Sequence, residues 1–286
     1  MHFLITDPGS GVWKVSAAEA QPQKLPCDCL WPCVPCAAHG CLAVCCAQSR
    51  ECLCLEKCTL EVIRCMPAPP GVCDLCLSPC GRYVYQLGAE ADCIHVRAAG
   101  TGELLYAAPA GVFPRMMRLD PSGHTLLHAG GTLNEACLLD APELTRVRTI
   151  TTRHACFAAD FWQGGLVLVC AAEGDDIQTV IAVLGARSVR PHKLLELPGQ
   201  PGALCVCPDG VTALLSTRDG LMKLDLYTGA ILWNQPEWAL CMRLCCRGDM
   251  ALVSDTLDGR ICLLNHHRPW ERRIVWNANA SQACFF

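Results

Sequence analysis

Leu204-Cys205-Val206-Cys207-Pro208-Asp209-Gly210-Val211-Thr212-Ala213-Leu214-Leu215 is the stretch that decides the fold. Two apolar runs flank a Pro-Asp-Gly turn, where glycine supplies the positive φ that a tight hairpin needs. The phrase then continues. Arg218-Asp219-Gly220 separates the second run from a third, and Tyr227-Thr228-Gly229-Ala230 separates the third from a fourth. One copy is therefore four short strands joined by polar turns.

The phrase recurs along the chain. Leu75-Cys76-Leu77-Ser78-Pro79-Cys80-Gly81-Arg82-Tyr83-Val84-Tyr85 is a second copy. Arg118-Leu119-Asp120-Pro121-Ser122-Gly123-His124-Thr125-Leu126-Leu127 is a third, and Arg243-Leu244-Cys245-Cys246-Arg247-Gly248-Asp249-Met250-Ala251-Leu252-Val253 a fourth. Weaker copies turn at Gly40 and Gly164. These glycines recur about every 40 residues, the period of a propeller blade. Further hairpin turns fit at Asp7-Pro8-Gly9, Leu257-Asp258-Gly259 and Gly100-Thr101-Gly102-Glu103. No long stretch carries a helical period.

The spans before Gly40 and after Gly248 leave room for one more turn, at the chain break. Ser281–Phe286 then becomes the inner strand of the first blade and Phe3-Leu4-Ile5-Thr6 its second strand, which removes an exposed edge. The expectation is a single all-β domain, a seven-bladed β-propeller closed by pairing the C-terminal strand into the first blade. Its blades are placed at 1–26 with 279–286, then 27–70, 71–110, 111–151, 152–199, 200–236 and 237–278.

The Cys207-Pro208-Asp209-Gly210 turn with Asp225-Leu226-Tyr227-Thr228-Gly229 resembles the YVTN and quinoprotein-like branch of the WD-repeat propellers. The resemblance covers nearly the whole chain and departs from true WD repeats, having no Trp-Asp strand ends and no regular Gly-His. It implies the fold. It does not imply a function, since propellers host enzymes and scaffolds alike.

Of 286 residues, 52% are hydrophobic and 17% charged, which excludes a disordered chain. A net charge of −4 without a dense Lys/Arg run argues against a nucleic-acid partner. The N-terminal Met1-His2-Phe3-Leu4-Ile5-Thr6-Asp7-Pro8 has no basic segment before its short apolar run, unlike a secretory leader. Apolar runs such as Leu166 to Ala172 are too short to span a bilayer as a helix. A cytoplasmic monomer without a membrane partner is expected. There are 25 cysteines, many inside apolar alternation such as Cys52-Leu53-Cys54-Leu55. They read as reduced thiols packing as small hydrophobes.

Candidate site residues come from the loops before the inner strands, which share one rim with the second-to-third strand turns. Arg115, Arg118, Arg153, His154, Trp238 and Arg243 fall there, and Met-Arg-Leu occurs at both 117–119 and 242–244. Arg118 and Arg243 are expected at the same height in two blades. Guanidinium forks match carboxylate and phosphate, so these residues read as an anion-binding rim; the alternative is that each pairs with a nearby Asp or carbonyl. Asp7, Asp92, Glu135, Asp175, Asp176, Asp219 and Asp258 read as a cation ring or, more simply, as turn residues accepting local backbone bonds. Cys27, Cys29, Cys33 and Cys36 have zinc-like spacing, as do Cys73, Cys76 and Cys80, but a strand sends alternate side chains to opposite faces. His124 and His128 are placed on one strand face without a third ligand. His266-His267-Arg268-Pro269-Trp270 reads as a solvated polar turn.

Three functions compete. A non-catalytic scaffold would present one rim to a protein or a small anionic ligand, without a cofactor. A lactonase-like hydrolase would work at the channel mouth through Arg118, His154 and Arg243, and lacks a general base. A cysteine-cluster protein would hold zinc or cycle a redox pair. The first is favoured, because short loops leave little material for a lid.

Overall fold

The computed structural model describes residues 1–7, 11–16, 22–25, 33–38, 41–46, 49–130, 134–172, 177–188, 190–239, 241, 243–255, 259–277 and 282–285. They form seven four-stranded antiparallel sheets, the blades of a seven-bladed β-propeller.

The first blade holds β1 (His2–Asp7), β2 (Gly11–Ser16) and β3 (Gln23–Lys24). The second holds β4 (Cys33–Ala38), β5 (Cys41–Cys46), β6 (Glu51–Glu56) and β7 (Val62–Pro67). The third holds β8 (Val72–Leu77), β9 (Tyr83–Gly88), β10 (Cys93–Ala98) and β11 (Leu104–Pro109); the fourth holds β12 (Met116–Leu119), β13 (Thr125–Ala129), β14 (Glu135–Asp140) and β15 (Thr145–Thr151). The fifth holds β16 (Ala155–Trp162), β17 (Gly165–Ala172), β18 (Gln178–Gly185) and β19 (Lys193–Pro198). The sixth holds β20 (Pro201–Val206), β21 (Thr212–Thr217), β22 (Gly220–Asp225) and β23 (Ile231–Gln235). The seventh holds β24 (Arg243–Arg247), β25 (Met250–Asp255), β26 (Arg260–Asn265) and β27 (Arg268–Asn277). The last strand, β28 (Gln282–Phe285), hydrogen-bonds to β1 and completes the first blade, as the sequence predicts. Phe3 and Phe285 meet edge to face across that pair, with ring centroids 6.4 Å apart.

Residues 1–133, 137–149 and 284–286 make one compact unit; 134–136 and 150–283 make a second. In the first unit, β1 packs with β4, β4 with β8, and β8 with β12. In the second, β16 packs with β20 and β20 with β24. Middle strands are buried on both faces, which is why their sequences are continuously apolar rather than alternating. In β9, Val84 faces one apolar cluster with Cys45, Cys52 and Leu75, while Tyr85 and Leu87 face another with Met117 and Leu126. Each large side chain buried this way contributes about 1.5–3 kcal/mol. Fourth strands are exposed, as in β11.

The turn chemistry follows the repeat. Gly81, Gly123, Gly210 and Gly248 have φ of 70, 78, 70 and 56°. In the weak fifth-blade copy the positive φ falls on Gly165 rather than Gly164. Gly123 is needed twice over, because a Cβ there would also lie 2.7 Å from Pro79 Cδ in the neighbouring blade's turn. Asp120, Asp209 and Asp225 each accept backbone N–H bonds from residues two to five positions further along. This is turn capping by a carboxylate.

A second repeated device ties blades together. Asp74 on β8 accepts the Met117 N–H of β12 at 2.8 Å, and Asp160 on β16 accepts the Val206 N–H of β20 at 2.8 Å. β12 and β20 are edge strands of their own sheets, so each carboxylate satisfies an amide that no ladder partner reaches. Among the described residues no helix is long and apolar enough to cross a membrane.

Candidate functional site

The predicted rim residues go to different places. In the first unit, the Arg118 guanidinium donates to Asp74 at 3.1 Å and to the Met117 carbonyl at 2.8 Å. Asp74 is buried and already holds the Leu75 and Met117 amides. Arg118 therefore neutralises a buried carboxylate, which is the pairing alternative rather than an anion receptor. Arg115 lies just before β12, its N–H bonded to the Ala129 carbonyl at 3.1 Å.

Arg118 and Arg243 also differ in height within their own blades. Arg118 pairs with Leu127, two pairs from the Asp120–Thr125 bond that closes a wide turn. Arg243 pairs with Ser254, four pairs from the Arg247–Met250 end of a tight hairpin. Equal spacing to the turn glycine conceals the difference in turn width. Trp238, expected on a rim, is instead buried in an apolar cluster with Leu214, Leu221 and Leu244. Arg260 and Arg272 lie over its ring at 5.3 and 5.8 Å from the centroid.

Arg153 and His154 do come together, in the second unit. They form the loop between β15 and β16 and line a cleft of about 240 Å³. Its floor is one face of blade five: Leu168 and Cys170 from β17, then Val180, Ala182 and Leu184 from β18. These residues alternate along their strands, so they share a face; Val167, Val169, Ile181 and Val183 on the other face pack against blade six. Thr151, Pro191, Leu194 and Glu196 complete the lip. Thr152 turns the loop by donating its hydroxyl to the His154 carbonyl at 2.7 Å. The exposed Arg153 guanidinium has no hydrogen-bond or ion-pair partner among the described residues. Cys170 sits opposite Cys156 across the β16–β17 ladder. A hydrogen bond from Cys156 favours the Cys170 thiolate, opposed by burial and helped by Thr152.

Cys73, Cys76 and Cys80 do not converge on one point. Cys73 bonds the Leu87 and Pro114 carbonyls, Cys76 the Met117 carbonyl, and Cys80 the Ser78 hydroxyl. Among the described residues no group of three or more His, Cys, Asp or Glu side chains is arranged to hold a metal ion. Cys27 and Cys29 lie outside the described residues; Cys33 and Cys36 lie on β4, of which the backbone is described. Asp175, Asp176 and Asp258 are likewise outside them. Asp92 accepts the Phe113 N–H at 3.0 Å. His128 is buried on β13, but His124 precedes that strand, so they are not a two-residue set on one strand. Burial, and then the charge of Arg146, lower the His128 pKa to about 4.

The His266–Trp270 turn is solvated in part: His267, Arg268 and Trp270 are exposed, but His266 is buried. His266 is 1% exposed. Its Nε2 bonds the Gly248 carbonyl at 2.8 Å, and its Nδ1 lies 3.0 Å from Nζ of Lys223, a lysine only 3% exposed in the middle of β22. The adjacent Cys207 is 2% exposed. The Cys246 thiol holds the Cys207 pKa down; burial opposes it, and His266 and Thr212 add to it.

No protein-family model and no curated protein matches the sequence. Solved structures do. Hydrazine synthase of Kuenenia stuttgartiensis matches with a TM-score of 0.72 at 14% identity, over 88% of this chain and 80% of that one. Dihydro-heme d1 dehydrogenase NirN in complex with DHE matches with a TM-score of 0.69 at 14% identity, over 99% of this chain and 74% of that one. At that identity the likeness establishes the seven-bladed propeller fold alone.

Proposed function

We propose that this chain is a non-catalytic binding module of the YVTN and quinoprotein-like kind, and that its ligand is a small amphipathic anion seated in the blade-five cleft. One observation carries the reading: an apolar floor of Leu168, Val180, Ala182 and Leu184 ends at the unpartnered guanidinium of Arg153 beside His154. An apolar wall with a single cationic end suits a short hydrocarbon chain bearing a carboxylate. At about 240 Å³ the cleft lies below the usual small-molecule range of roughly 300–1,000 Å³, which favours a short chain over a nucleotide-sized ligand. The reading is one of binding because His154 and Glu196 carry no side-chain hydrogen bond among the described residues that would orient a general base.

Octanoate is the probe. Calorimetric titration should give saturable binding, and Arg153→Ala should weaken it about tenfold, the worth of one charge-assisted bond. Octylamine should bind no better to the native protein than octanoate does to Arg153→Ala. Equal octanoate affinity in the native protein and Arg153→Ala would remove the basis of the proposal.

A further inference from the structure

Glu196 lines the same cleft as Arg153, and the register of blade five sets its place. Along β19, Lys193, Leu195 and Leu197 turn toward blade six. Lys193 Nζ donates to the Tyr227 carbonyl at 3.2 Å, and both leucines pack against the cluster of Val183, Leu215 and Leu224. Strand alternation therefore sends Leu194 and Glu196 to the other face, which is the cleft. Across the sheet, Cys156 pairs with Cys170, Cys170 with Val180, and Val180 with Glu196, so these four form one row. Arg153 and His154 immediately precede β16, at the end where that row lies. The neighbouring row of Leu168, Ala182 and Leu194 is wholly apolar. The cleft thus has one polar end, bearing both signs of charge, and an apolar remainder.

Among the described residues Glu196, like Arg153, has no hydrogen-bond or ion-pair partner, and the two do not pair with each other although they line one cleft. A glutamate on an outer strand is ordinarily only solvated. Here it adjoins Leu194, 59% exposed on the same face, and the apolar floor that continues from it. A carboxylate and a guanidinium held apart at one end of an apolar cleft fit a molecule that carries an ammonium and a carboxylate together.

We propose, resting on the anion-binding reading of this cleft, that its ligand is an apolar α-amino acid. Arg153 receives the carboxylate, Glu196 the ammonium, and Leu168, Ala182 and Leu194 the side chain. The two charges of such a ligand sit on one carbon, matching two charges at one end of the cleft and an apolar surface beyond them. An amine without a carboxylate gains little, because the Arg153 guanidinium at the same end repels it.

2-Aminooctanoate and octanoate share one hydrocarbon chain and differ in the ammonium, so calorimetric titration of the full chain with each isolates the Glu196 contact. 2-Aminooctanoate is expected to bind about fivefold tighter, the upper range for one exposed ion pair. Glu196→Gln should remove that gain and leave octanoate bound at least as tightly as before, since a like charge has gone. 2-Aminooctanoate binding no tighter than octanoate in the native protein would overturn the amino-acid assignment and leave the anion-binding reading standing. A gain that survives Glu196→Gln would overturn it as well. No saturable binding of either ligand would overturn both.

Discussion

Blade two and the seam between blades six and seven both bury interacting cysteines, and they turn them into opposite things. In blade two, Cys41, Cys45, Cys52 and Cys54 share one sheet face with Met66 and Leu75. Their neighbours are other thiols. Cys41 is pushed up by its bond to Cys54 and by burial, and Cys52 by its bond to Cys45 and by burial. A thiol that donates to another thiol loses that bond if it ionises, and apolar surroundings offer nothing in exchange. At Cys207 the balance runs the other way: Cys246 holds its pKa down, with His266 and Thr212 adding to that pull against burial. Burial alone makes cysteine a small hydrophobe. Burial beside polar neighbours pulls it toward the thiolate.

The sharpest way to break this contrast is to install a fixed anion at each place. Cys52→Asp should cost about 4 kcal/mol, the loss for an uncompensated buried charge. Cys207→Asp should cost about 2 kcal/mol or less, because its surroundings, Cys246 first and then His266, already favour a negative charge there. Denaturant titration of the two variants measures both, and equal costs would erase the distinction.

The pH dependence of stability sharpens it next. A depressed folded pKa contributes stability that is complete above the ordinary thiol value of 9.0 and is lost as pH falls through about 5. His266 works in the opposite sense. Its raised folded pKa contributes fully below its ordinary value of 6.5 and loses that contribution as pH rises through the raised one. Stability should therefore climb by about 2 kcal/mol from pH 5 to 6.5 and more slowly beyond. Cys207→Ala should flatten that climb in denaturant curves taken at each pH, whereas Cys52→Ala should leave it intact.

Cys45→Ala should then cost about 1 kcal/mol in denaturant titration, the value of one small buried body. The smallest effect concerns the surface. Cys80 is exposed, yet its bond to Ser78, aided by Arg82, lowers its pKa to about 7. Iodoacetamide labelling of Cys80 should titrate near that value, and Ser78→Ala should make labelling at pH 7 several-fold slower. That would show donors acting on a thiol without burial.

The fold was legible because its signals are local. The backbone conformations of Gly81, Gly123, Gly210 and Gly248 follow from a residue type, and the spacing of those turns counts blades without any tertiary information. The site was legible only at Arg153 and His154, which a loop before a first strand exposes. The cleft floor was not: Leu168, Val180 and Ala182 read as ordinary strand residues, and a missing neighbour leaves no mark in a sequence. His266 was misread because its burial is set by Lys223, in another blade, and by the Gly248 carbonyl.

The pairing of β28 with β1 has a consequence in time. Every other blade is continuous in sequence and can fold as soon as its four strands are made. Blade one alone joins strands that are distant in sequence, β1 and β28. At about 5–20 residues per second, β1 spends tens of seconds during synthesis with an unpaired edge before β28 arrives. Fully buried Phe3, Leu4 and Ile5 lie on that waiting strand, so the nascent chain is most open to misassociation along β1.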